Sequence, residues 1–187
     1  MVRIIAGERK GIRLKSVSSR ILRPIPDKVK KAVFDILGDV SVFGTVLDLF
    51  AGTGSFGFEA LSRGVKLGYF VELNRRVFQI LHENAIKLGF TERVKLFNID
   101  AFRLLRNSTK TFDLIYVAPP QYRGLAFQAA SEIFARPSLV TDGGIVIVQL
   151  DKREELNITP TYFKVVTSRV WGDTQAIFYK RISPQDL

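Results

Sequence analysis

Residues 45–57 read Thr45-Val46-Leu47-Asp48-Leu49-Phe50-Ala51-Gly52-Thr53-Gly54-Ser55-Phe56-Gly57. The apolar run from Thr45 to Phe50 predicts a buried strand, and the glycines at 52, 54 and 57 predict a tight turn. A helix should follow, through Phe58 and Leu61 to Gly64. Glycines at these places let the backbone approach a ligand and let the helix pack closely on a sheet. A structural turn is the competing reading of the glycines alone; their place between a strand and a helix favours a ligand.

Working outward, helix and strand signals alternate. Upstream, Asp27 reads as the N-cap of a helix with Val29, Ala32, Val33, Ile36 and Leu37 on its apolar stripe and Gly38 at its end. Before it, residues 3–5 and 12–15 predict two short strands around Gly7–Gly11, a basic ribbon. Downstream come a strand at 67–71, a helix capped by Asn74 and closed by Gly89, a strand at 93–97 and a short helix at 101–106. A strand at 112–117, a helix over 124–135 and a strand at 145–150 introduced by Gly143-Gly144 complete the alternation. Residues 162–171 and 174–180 flank Gly172-Asp173, a hairpin signal. The pattern predicts an α/β fold: a mostly parallel seven-stranded sheet, helices on both faces and an antiparallel C-terminal hairpin. Two parts are expected, a basic arm over residues 1–26 and a catalytic domain over 27–187.

Glu72 stands eighteen residues past Gly54, at the end of the second strand, where a carboxylate can take both hydroxyls of a ribose. Nicotinamide dinucleotides and S-adenosylmethionine both suit such a site. Asp48 separates them: a carboxylate four residues before the first glycine would repel a pyrophosphate, which needs the positive end of the helix. It suits instead the cationic amino-acid part of S-adenosylmethionine; the competing reading is a side chain bonding turn amides. Asp100, at the third strand end, can accept from an adenine amino group while the Ala101 amide meets the ring, or can cap the helix that begins there. His82 reads as an ordinary residue of its helix.

Ligands of open parallel sheets gather at the carboxyl ends of strands, so the fourth strand end, Ala118-Pro119-Pro120-Gln121-Tyr122, is where chemistry is expected. The prolines remove two donors and stiffen the loop, and Tyr122 offers a face to a planar base. Loop punctuation is the bland alternative.

Composition bounds the rest. The chain has 187 residues, 47% hydrophobic and 25% charged, enough to bury a substantial core. With no cysteine and a single histidine, disulfides, thiolate sites and multi-histidine metal centres are excluded, and no metal is expected. No leader or membrane-spanning run is read, so a cytoplasmic protein is expected. The net charge of +10 is uneven: residues 1–31 carry +8, from Arg3, Arg9, Lys10, Arg13, Lys15, Arg20, Arg23, Lys28, Lys30 and Lys31 against Glu8 and Asp27. Clustered cations gain by releasing counterions from an anionic polymer, and here they are interleaved with Ile4, Ile5, Ile12 and Leu14 rather than forming a solvated run.

From Arg3-Ile4-Ile5-Ala6-Gly7 to the last hairpin, the chain resembles the small bacterial methyltransferases that modify guanine N2 in 16S ribosomal RNA, the D type of the small-subunit RNA methylases. The specific pieces are Leu22-Arg23-Pro24, Asp27-Lys28-Val29-Lys30, Phe34, Leu47 to Gly54 and Gly57-Phe58-Glu59-Ala60-Leu61-Ser62-Arg63-Gly64. The resemblance implies a Rossmann-like methyltransferase sheet and S-adenosylmethionine as cofactor. It implies that Asp48, Gly52 and Gly54 line the methionine end with Phe50, Ala51 and Thr53 beside them. Glu72 would take the ribose and Asp100 with Ala101 the adenine, with Leu73 also lining the cofactor site. It implies 16S rRNA or a small-subunit particle as partner, with guanine 966 as the family's position. The flipped base would lie by Ala118, Pro119, Pro120 and Tyr122, and phosphates by Arg3, Arg9, Lys10, Arg13, Arg23 and Lys28. One departure stands out: the family's Asp or Asn before Pro-Pro is Ala118 here, and the aromatic after it is displaced to Tyr122. The second reading is therefore an RNA-binding assembly factor with a weakened transfer site.

Overall fold

Each element forms where its own residues dictate, and the terminators are the clearest. In the computed structural model, which describes residues 2–17, 25–183 and 185, helix α1 runs Asp27–Leu37 and stops at Gly38 in a positive-φ conformation. Asn74 caps α3 (Arg75–Leu88) by accepting from the amides of Arg76 and Val77, and Gly89 closes it in the left-handed region. Between them lie β1 (Thr45–Asp48), α2 (Ser55–Ser62) and β2 (Leu67–Val71), and after them β3 (Val94–Phe97). The second half holds α4 (Ala101–Asn107), β4 (Phe112–Val117), α5 (Leu125–Ala135), β5 (Val140–Asp151), β6 (Phe163–Trp171) and β7 (Thr174–Arg181).

The chain divides into two units, Met1–Asp100 and Ala101–Leu187. In the first, β1 and β2 pair in parallel, as do β2 and β3, and α2 packs on β1 and β2. Its core is apolar and rich in phenylalanine: Phe58 packs on Phe70, and Phe34 stacks on Phe56. In the second, β4 and β5 are parallel, whereas β7 runs antiparallel to both β5 and β6. The expected terminal hairpin is present, and α5 lies against β4 and β5.

Four local expectations are corrected. The N-terminal strands shrink to one antiparallel bridge between Arg3 and Arg13, with the Ile4 amide on the Ile12 carbonyl and the Leu14 amide on that of Val2; the pairing goes no further because the amides of Ile5 and Ala6 bond the Glu59 carboxylate and that of Lys15 bonds Asn84. The N-cap of α1 is Pro26, not Asp27, whose carboxylate instead pairs with Arg3 at 3.0 Å. The buried stripe of α1 is Val29, Lys30, Val33 and Phe34, leaving Ile36 exposed. Lys30 fits that stripe because a buried carboxylate meets it. Finally, β5 begins at Val140 and passes through Gly143-Gly144, which the sequence reads as introducing the strand; between the pairs Phe112–Val140 and Leu114–Ile145 the register shifts, and the extra residues bulge from β5 itself. Among the described residues no helix is long and apolar enough to cross a membrane.

Candidate functional site

The turn after β1 is built by two carboxylates and a left-handed glycine. Gly54 sits at φ +87°, and a Cβ there would come within 2.2 Å of the Phe58 ring and 2.7 Å of Leu81, so only glycine fits. Gly57 is needed for another reason: a Cβ would strike Phe70 of β2 at 2.3 Å, so its absence lets α2 settle on the sheet. Asp48, 2% exposed at the end of β1, accepts from the Gly57 amide at 3.0 Å. Burial pushes its carboxyl up to about 7, against the pull of that amide, with Glu72 nearby adding a little.

Glu72 faces the turn from the end of β2. Its Oε2 accepts from the Gly52 amide at 3.0 Å and its Oε1 from the Asn74 amide at 2.7 Å. Burial raises its proton affinity, and those amides oppose the rise. Each oxygen keeps a lone pair for an outside donor. Beside it Leu73 leaves its apolar side chain 67% exposed. Thr53 Oγ1 is buried with no partner among the described residues. An orphaned hydroxyl, a half-buried carboxylate and an exposed apolar residue beside a glycine turn suit a ligand with an adenosine end and a charged amino-acid end. Phe50 is half-buried beside the buried Ala51, Gly52 and Thr53. Asp100 is half-buried and is followed by the buried Ala101, the first residue of α4.

In the second unit, β4 ends at Val117 and the chain leaves through Ala118, Pro119 and Pro120. Tyr122 is 59% exposed and has φ +59°, the one positive value outside glycine among the described residues.

A family described as "Conserved hypothetical protein 95" matches residues 2–180. "Ribosomal RNA small subunit methyltransferase D" of Haemophilus influenzae is 33% identical over 174 residues, 91% of this chain and 89% of its own. YlbH of Bacillus subtilis is 31% identical over 183 residues, 96% of this chain and 99% of its own. The chain belongs to the small-subunit methyltransferase D family. Among solved structures, yhhF of Escherichia coli superposes with a TM-score of 0.87 at 27% identity, covering 97% of this chain and 98% of that one. The methyltransferase D family is Rossmann-like and dependent on S-adenosylmethionine, as the resemblance implied.

For this member of the family, the basic residues are less uniform than their sequence suggests. Lys10, Arg13 and Lys28 are exposed. Arg3 is also exposed but paired with Asp27, and the Arg9 guanidinium lies over the Phe90 ring, 5.6 Å from its centroid. Arg23 lies outside the described residues. Two groupings escaped the sequence reading. One is the buried Lys30–Glu59 pair at 3.4 Å: Lys30 Nζ also donates to the carbonyl of Arg3 and the hydroxyl of Ser55, and Glu59 accepts from Ile5, Ala6 and Arg63. A single acid inside the otherwise apolar and small Ser55–Ser62 helix was its available signal. The other joins Tyr122 to Arg153 and Asp151, and no short-range pattern marks it.

Proposed function

We propose that this chain methylates the exocyclic N2 of a guanine in 16S ribosomal RNA, at the position the family numbers 966, acting in the cytoplasm on the RNA or on a small-subunit particle. The observation that carries the reading is the turn at 52–54 braced by Glu72 over the buried Asp48. Bound there, S-adenosylmethionine supplies an electrophilic methyl group on sulfur.

The chain's own residues do the rest. Glu72 takes the ribose hydroxyls, and Leu73 with the Asp100–Ala101 step takes the adenine. Asp48, ionised, offsets the positive charge of the amino-acid end, and Gly52 and Gly54 allow its close approach. In the second unit, Ala118, Pro119 and Pro120 present main-chain carbonyls to the amine and Tyr122 presents its ring to the base. Carbonyl dipoles favour the positive charge that builds on nitrogen as the N–C bond forms and the S–C bond breaks; the amine then gives its proton to water. Orientation supplies most of the rate, since holding reactants in line is worth very large effective concentrations. Lys10, Arg13 and Lys28, with Arg3, Arg9 and Arg23, hold phosphates.

Tritiated methyl incorporation into unmodified small-subunit RNA or particles, followed by mass mapping of the modified nucleotide, tests this. N2-methylguanine at one position supports it, and the absence of incorporation together with no heat of donor binding ends it. Ala118 favours one second reading, an assembly factor that transfers methyl slowly. Under that reading, Ala118→Asp raises turnover severalfold; under the first it changes little.

A further inference from the structure

Tyr122 is strained, exposed and clamped, three properties that do not normally coincide. A β-carbon-bearing residue at φ +59° sits uphill of its relaxed conformation and stays there only when its surroundings dictate it. Here Arg153 dictates it. The guanidinium lies over the Tyr122 ring, 5.4 Å from ring centroid to Cζ, and Nη2 donates to the phenolic oxygen. Arg153 is itself fixed by Asp151, the last residue of β5 and fully buried: Nε donates to Oδ1 at 2.8 Å and Nη2 to Oδ2 at 3.0 Å. The Arg153 amide adds a third bond, to Oδ1 at 3.0 Å. A clamp built merely to pin the loop would bury the side chain, yet Tyr122 stays 59% exposed.

We propose that Arg153, gripped by Asp151, is a positioning residue that holds the Tyr122 ring open as a stacking surface for the target purine. The proposal rests on the reading of the 118–122 loop as the base site. A planar base gains by stacking on an aromatic face already fixed in place, because no side-chain freedom is lost on binding. A guanidinium is needed here, because its flat fork grips a carboxylate with two nitrogens and covers a ring at the same time, which an ammonium cannot do.

Two measurements test it on the full-length protein. In steady-state transfer to unmodified small-subunit RNA, Arg153→Ala should lower kcat roughly tenfold, and Arg153→Lys should restore little of it. Donor affinity by calorimetry should be unchanged in both. Independently of turnover, a short single-stranded RNA carrying 2-aminopurine among uridines should be quenched by the wild-type protein. Quenching should be lost in Tyr122→Leu and weakened in Arg153→Ala. Normal kcat and quenching in Arg153→Ala overturn the proposal, as does a loss of donor affinity matching the loss of rate, which marks a merely structural clamp. Wild-type protein that neither binds the donor nor transfers methyl overturns the reading of the site instead, and this proposal with it.

Discussion

Replacing Asp48 with asparagine tests the electrostatics of the cradle before any ligand is added. Burial carries the Asp48 carboxyl from 3.8 to about 7. Its proton affinity in the folded chain is thus about a thousandfold higher than in the unfolded one, roughly 4 kcal/mol. Between these values the folded chain holds a proton that the unfolded chain has lost, so stability falls as pH rises. The penalty is absent below about pH 4, grows through pH 5 and 6, and is complete above about pH 7. The asparagine of the variant is neutral throughout, and its amide oxygen can still accept from Gly57. The variant should therefore match the wild type near pH 4 and melt higher at pH 8, by about 10 °C at roughly 2–4 °C per kcal/mol for a chain of this size. Calorimetric melting of both proteins from pH 4 to 8 reads the difference directly, since every other group cancels. Melting curves that run parallel across that range would refute the argument, and with it the case that Asp48 is stored without a counter-charge for a cation to find.

Other outcomes follow from the same geometry. Donor binding near pH 6.5 should release protons from the wild type and none from Asp48→Asn, measured by calorimetry in buffers of differing ionisation heat. Gly54→Ala should cost about 1–3 kcal/mol through its left-handed backbone alone, more with the Phe58 clash, and should abolish donor binding. Denaturant titration gives the first and calorimetry the second. Glu59→Ala strands the buried Lys30 ammonium, a loss of about 3–5 kcal/mol visible as a lowered denaturation midpoint. Replacing Lys10, Arg13 and Lys28 by Ala should flatten the salt dependence of RNA binding by about 0.7 in log–log slope for each phosphate no longer neutralised; an unchanged slope would reduce these residues to a solubilising role.

Much of the fold was legible because its punctuation is local. Asn74, Gly38, Gly89 and Gly172-Asp173 act within a few residues of themselves, and the elements they bound fall where expected. The cradle was legible for the same reason, since spacing within one strand–turn–helix unit fixes Asp48, Gly52, Gly54 and Gly57. Illegible features depend on distant partners. Lys30 reads as a surface cation until Glu59 arrives from another helix, and residues 3–5 read as a strand until the amides of Ile5 and Ala6 find that same carboxylate. Gly143-Gly144 reads as the start of a strand because what precedes it is strand only through the pairing of Val140 with Phe112, far away in sequence. Asp151 and Arg153 were invisible because their meaning comes from Tyr122, some thirty residues earlier.

The Asn84 side chain has consequences for anyone recombining these proteins. Its amide nitrogen donates to the carbonyls of both Lys15 and Thr53, at 3.0 Å each, while its oxygen accepts from the Lys15 amide at 2.8 Å. One amide group thus joins the leading segment to the glycine bend. A chimaera that exchanges the first 26 residues for another homologue's, in order to transplant a preference for a different RNA, would keep these bonds wherever the graft keeps the backbone path, because Lys30, Glu59 and Asn84 meet only main-chain atoms of that segment.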